Sequence, residues 1–176
     1  SLINRMGFNN DGSLAVADRI RKNLDRKGPM PCPVFANLGK SKITSNDDAL
    51  VDYATSMERL HDVVDGFVVN VSSPNTPNLR DLQHEEALKD LLAGLAQRLK
   101  ELNAGVSLPR PMLVKFAPDL ATDTLLSLVD VAREAGADGV VLTNTTVERG
   151  PPSHPKHARF LAEQGGLSGA PLKDRC

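Results

Sequence analysis

The chain has 176 residues, 40% of them hydrophobic and 24% charged, with a net charge of −1. That is the composition of one globular domain with its own apolar core, not of a disordered chain, and the near-zero charge gives no electrostatic reason to expect nucleic acid or an anionic membrane as partner. Cys32 and Cys176 show no CxxC spacing, so neither a disulfide framework nor a zinc site is expected, and a reducing compartment fits.

Leu14 to Lys27 places Leu14, Ala17, Ile20 and Leu24 on one helical face. Val34-Phe35-Ala36 follows as a short apolar run without polar alternation, which predicts a parallel strand covered on both faces. Asn46 is read as the N-cap of a second helix carrying Ala49, Tyr53, Met57 and Leu60. Gly66-Phe67-Val68-Val69 is a second strand, and Glu85 to Asn103 a helix stopped near Gly105. Met112-Leu113-Val114 is a third strand. Thr122 is read as the cap of a helix through Leu125, Val129 and Ala132 to Ala135, stopped by Gly136, and Val140-Val141-Leu142 is a fourth strand. Alternating strands and helices imply an α/β fold with a parallel sheet, either doubly wound or a (β/α)8 barrel. No GxGxxG follows a strand, and there is no Walker-type loop. The Pro-rich stretch Gly150 to Pro155 reads as an irregular connection, and residues 1–176 as a single domain.

No run of about 18 apolar residues is present, so nothing in these residues is expected to span a bilayer. The chain opens on Ser1-Leu2-Ile3 without an initiator Met and closes on Lys173 to Cys176, so the lack of a targeting segment carries no weight.

What ends each strand is more informative. The four runs lead into Asn37, Asn70, Lys115 and the segment Thr143-Asn144-Thr145-Thr146. In parallel α/β folds the carboxyl edge is where ligands bind. Asn and Thr are common at strand ends and caps for structural reasons, but four polar strand ends together favour a site. Amides offer donor and acceptor together, which suits a planar heterocycle such as a pyrimidine or a flavin ring. Asp119 has no second carboxylate nearby in sequence and reads as a turn residue or cap. Ser72 and Ser73 precede Pro74-Asn75-Thr76, and Pro74 holds Ser73 extended. With no GxSxG and no neighbouring His, the residues alone favour a plain Ser-Pro-Asn turn. Gly165 to Gly169 can approach a phosphate or flavin edge, with a flexible turn as the equal alternative. His61, His84, His154 and His157 form no recognisable constellation, and no metal site is expected.

Six segments in this order resemble the dihydroorotate dehydrogenases: Ile3 to Asn9 (INRMGFN), Asn37 to Lys40 (NLGK), Asn70 to Thr76 (NVSSPNT), Leu113 to Leu120 (LVKFAPDL), Thr143 to Thr146 (TNTT) and Gly165 to Gly169 (GGLSG). The resemblance runs from about Ile3 to Lys173, and serine at position 73 is similar to the class 2, quinone-dependent type. It implies a (β/α)8 barrel holding FMN at the carboxyl ends of its strands, and oxidation of dihydroorotate to orotate in pyrimidine biosynthesis, with electrons passed to quinone. It assigns Ser73 as the catalytic base, with Thr76 and a water as relay. Asn37, Asn70, Lys115, Thr143 and Gly169 become FMN contacts. Asn4, Gly7, Phe8, Asn70, Asn75, Asn144 and Thr145 become substrate contacts, with Phe8 shielding the site and Ser73 to Leu82 acting as part of a lid. A different flavin barrel with another substrate is the weaker reading.

A complete barrel needs about 250 residues. Four strands therefore amount to a partial barrel, by resemblance the third to sixth of eight. The ending Asp174-Arg175-Cys176 departs from the family, in which a helix follows, as a truncation or altered reading frame would produce. By resemblance, quinone and membrane are reached through an N-terminal region not among these residues. Location at an inner membrane is expected: mitochondrial in a eukaryote, cytoplasmic in a bacterium. The alternative is a non-catalytic fragment or isoform, inactive and poorly retaining FMN on its own.

Overall fold

The computed structural model describes residues 2–151 and 154–175. Ser1, Cys176, and Pro152 and Ser153 of the Pro-rich loop lie outside them, so the expectation for Cys176 is left there. Cys32 is a free, exposed thiol.

Four parallel strands pair in chain order: β2 (Phe35–Leu38), β3 (Gly66–Asn70), β4 (Met112–Lys115) and β5 (Gly139–Val141). The helices α1 (Ser13–Lys27), α2 (Ala49–Leu60), α3 (Glu85–Leu102) and α4 (Thr122–Glu134) alternate with them. A short antiparallel pair joins β1 (Leu2–Asn4) to β6 (Gly166–Ser168), which the apolar pattern did not predict, because three-residue strands carry no periodicity. The architecture is α/β, a segment of a (β/α)8 barrel.

Register decides which side chains share a face. Leu38, Val69, Val114 and Val140 lie abreast, as do Ala36, Phe67 and Met112. This face meets the helices, and Leu38, Phe67, Val69, Met112 and Val114 are buried there. The opposite face carries Phe35, Asn37, Val68, Asn70, Leu113, Lys115 and Val141 by strict alternation. The expectation of strands covered on both faces is therefore corrected. Phe35 is 39% exposed on the second face, and Val140 is 38% exposed at the β5 edge. Val68, Leu113, Lys115 and Val141 of that face are half-buried, and among the described residues no strand pairs with the outer edges of β2 and β5.

The core follows the helical spacing. Ala49, Tyr53, Met57 and Leu60 of α2 are buried as expected, and Leu88, Leu91, Leu92, Leu95 and Leu99 make α3 the central helix. Leu14 departs from its expected face and is exposed, while Val16 packs against the core beside Ala17, Ile20 and Leu24. Leu128 joins Ala132 as a buried residue of α4. Asn46 does not cap α2. Its amide Nδ2 donates to the carbonyl of Asn78 at 3.0 Å, and the helix begins after Asp48. Thr122 is the first residue of α4, not its cap.

Candidate active site

The carboxyl ends of β2, β3 and β4 bring Asn37, Asn70 and Lys115 to one face of the sheet, with Asn70 and Lys115 directly abreast. Asn70 is only 2% exposed, and its side chain is fully engaged as an acceptor. Its Oδ1 accepts from the Ser72 amide at 3.1 Å and from the Ser72 hydroxyl at 2.8 Å. The Ser72 Oγ in turn accepts from Asn144 Nδ2 at 3.0 Å. A continuous chain Asn144–Ser72–Asn70 thus ties the end of β5 to the end of β3. Sequence reading passed over Ser72 in favour of Ser73. The available signal was the two-residue spacing of Asn70 and Ser72.

Ser73 is 6% exposed, and its Oγ accepts from the Asn75 amide at 3.3 Å. Thr76 is also buried, and its hydroxyl has no partner among the described residues. Asn75 reaches the first loop: Nδ2 donates to the Met6 carbonyl at 3.1 Å and lies 3.5 Å from the Asn4 carbonyl. Asn4 ends β1, and its Oδ1 accepts from the Met6 amide at 3.2 Å. Gly7 packs against the Asn75 carbonyl and Lys42, and the Phe8 ring lies on Gly39.

A cleft of about 300 Å3 gathers Lys115, Thr143, Asn144, Thr145 and Gly169, together with Ser168, Leu172 and Lys173. Thr143 Oγ1 donates to the Asn144 carbonyl at 3.2 Å, and Asn144 Oδ1 accepts from the Thr145 amide at 2.8 Å. Gly169 sits at φ +100°, and its loop passes close to the site for a steric reason. A Cβ at Gly165 would overlap the Asn4 backbone, and one at Gly166 would overlap the Thr145 side chain. Gly7, Phe8 and Asn37 line a separate hollow of about 580 Å3 with Thr76 and Lys40. The proposed cofactor and substrate residues therefore fall into two groups joined through Asn70 and Asn75.

The electrostatics of the edge are positive. Lys40 is buried, and its Nζ donates to the carbonyls of Ser41 and Thr44. Arg149 donates to the carbonyls of Thr146, Glu163 and Gly165. The Lys115 side-chain amine has no hydrogen-bond or ion-pair partner among the described residues. These cations are met by neutral carbonyls or by nothing, which favours an anionic ligand. Arg80 and Asp119 pair with each other at 2.7 Å. Asp119 is thus more than a turn residue, and its partner, 39 positions away, leaves no trace in local sequence. Behind the edge, buried Tyr53 donates to the Asn70 carbonyl at 2.9 Å, and burial pushes its phenol well above the usual tyrosine range.

A parallel α/β sheet backed by helices, with amides, hydroxyls and an unpaired amine at its carboxyl edge, has the form of a barrel segment of the class that places ligand sites at the strand ends. The family model described as Dihydroorotate dehydrogenase matches residues 1–176. The chain is 47% identical to the Dihydroorotate dehydrogenase (quinone) of Thermobifida fusca, an alignment covering 99% of this chain and 45% of that protein. It is 50% identical to the protein of that name from Anaeromyxobacter dehalogenans strain 2CP-C, over 98% of this chain and 45% of the relative. Among solved structures, ligand-free DHODH from Eimeria tenella superposes with a TM-score of 0.83 at 34% identity, covering 98% of this chain and 51% of that one. The chain belongs to the dihydroorotate dehydrogenase family. It spans about half the length of the relatives it matches.

Proposed function

We propose that this chain supplies the catalytic serine, the flavin-facing lysine and the pyrimidine-holding amides of an FMN-dependent dihydroorotate:quinone oxidoreductase. The observation that carries this reading is the edge itself. Buried Ser73 follows Asn70 at the end of β3, and the unpartnered Lys115 stands abreast of Asn70. These residues fit FMN: an unspent cation and flanking amides lie on one sheet face, and Gly169 closes the adjoining cleft with Thr143. Bound FMN would supply the hydride acceptor.

The chain's own residues do the rest. Ser73 Oγ would take the proton from C5 of dihydroorotate. A serine is a weak base at neutral pH, so the proton needs an onward route. The buried, unpartnered hydroxyl of Thr76 supports a relay role beside it. Asn75, Asn144 and Thr145 would hold the pyrimidine amides and carboxylate, with Asn4, Gly7 and Phe8 closing the other side. Lys115 would provide a fixed cation for charge that develops on reduction. In the Ser73–Leu82 loop, proposed as part of a lid, Ser73, Thr76, Leu79 and Leu82 are buried and Pro77, Asn78 and Asp81 are exposed. Among the described residues no helix is long and apolar enough to cross a membrane. Quinone access and inner-membrane association are proposed to belong to the full-length protein.

Ser73→Ala in a full-length protein carrying this segment is expected to lose nearly all dihydroorotate turnover. Flavin absorbance near about 450 nm should be kept. Turnover retained with flavin bound would sink the assignment of Ser73.

The second reading, a fragment inactive alone, is favoured by the unpaired outer edges of β2 and β5 among the described residues and by the coverage of relatives. Expressed by itself, the segment should associate through its exposed edges and retain little FMN. A monodisperse, yellow, monomeric preparation would exclude that reading.

A further inference from the structure

One ion pair holds together the three loops that leave the carboxyl ends of β3, β4 and β5. Arg80 lies in the 3-10 turn Leu79–Gln83 that follows β3. It donates through Nη1 to Asp119 Oδ2 at 2.7 Å, through Nε to the Ser72 carbonyl at 3.1 Å, and through Nη2 to the Thr145 carbonyl at 3.1 Å. Asp119 lies in the loop after β4. Its Oδ1 accepts from the Thr146 hydroxyl, and its Oδ2 from the Val147 amide at 3.3 Å. The two side chains are 24% and 15% exposed.

Exposed ion pairs contribute little. This pair is different because most of it is withdrawn from water and each partner also bonds to neighbouring loops. The planar guanidinium points its donors in three directions at once, a task lysine cannot copy. Ser72 directly precedes Ser73, and Thr145 directly follows Asn144. The clasp therefore spaces the serine loop against the amide loop without pointing into the cleft that Lys115 lines.

We propose that Arg80 and Asp119 are positioning residues that hold the Ser73 loop and the Asn144–Thr145 loop in register for proton abstraction. This rests on the functional reading given above. A clasp with this role should govern the step in which substrate reduces the flavin, and leave the flavin's reaction with quinone alone.

The test uses Arg80→Lys, Asp119→Asn and Asp119→Glu in a full-length protein carrying this segment. Flavin content and the unfolding midpoint are measured first. Anaerobic stopped-flow mixing with dihydroorotate and, separately, reoxidation by a soluble quinone follow. Expected are near-normal flavin content, reduction slowed up to about 10²-fold in Arg80→Lys and Asp119→Asn, partial recovery in Asp119→Glu, and unchanged reoxidation. Hydrogen exchange at the Val147 amide should quicken in Asp119→Asn. If the unmutated protein is reduced by dihydroorotate but the variants match it, or if both half-reactions slow in step with lost flavin, the positioning role is overturned. If the unmutated protein is not reduced at all, the functional reading fails, and this inference with it.

Discussion

The phenol of Tyr53 donates a 2.9 Å hydrogen bond to the backbone carbonyl of Asn70. One buried side chain of α2 thereby fixes the end of β3, the strand that presents Asn70.

Tyr53→Phe removes this bond and leaves the buried Asn70 carbonyl without that partner. A loss of about 1–3 kcal/mol in unfolding free energy is expected from urea titration. The alkaline limb should also change. Burial raises the folded-state phenol pKa, so the folded protein keeps its proton where the unfolded chain gives it up. The stabilisation is complete at neutral pH and is lost as pH rises past about 10, the unfolded value. Tyr53→Phe should flatten that decline. An alkaline limb as steep in the variant as in the parent would contradict the assignment.

Lys115→Met keeps length and removes the charge. Because the Lys115 side-chain amine has no partner among the described residues, fold stability should hold or rise slightly. Flavin reduction should slow by about 10²–10³-fold, the scale for losing one preorganised electrostatic stabiliser. Rapid-mixing absorbance reads this directly, and an unchanged rate would remove Lys115 from the chemistry.

At Gly166 a methyl group would collide with the Thr145 side chain. Gly166→Ala should cost about 1–3 kcal/mol, the range for overpacking, and weaken orotate binding as Thr145 is displaced. Calorimetric unfolding and an orotate titration check the two parts. Stability lost with affinity intact would separate Thr145 from the ligand.

Much of this arrangement was legible in the sequence because parallel strands announce themselves. Phe67-Val68-Val69 and Met112-Leu113-Val114 are apolar throughout and end in Asn70 and Lys115, so both the sheet and its polar carboxyl edge could be read. The unread parts depend on contacts between distant positions. Asp119 reads as a turn residue or cap, and Arg80 carries no signal in the sequence, until the fold brings them together. Ser72 was overshadowed by Ser73, although its hydroxyl links Asn70 to Asn144. Asn46 has the composition of a cap, but its amide is taken by Asn78. The roles proposed for Ser73 and the amides come from the six matching segments; periodicity alone stopped at a Ser-Pro-Asn turn.

The pairing of β1 with β6 sets Leu2 opposite Ser168 and Asn4 opposite Gly166. Strands β2 to β5 each find their partner one unit away, but this strap must bridge almost the whole described chain. The entropy of closing so long a loop is recovered only after the intervening units have condensed. Pulsed hydrogen exchange during refolding should therefore protect Val69 and Val114 before Ile3 and Leu167. The segment would acquire its sheet early and its strap last, so the loop around Asn4 to Phe8 would be the final part of the site to mature.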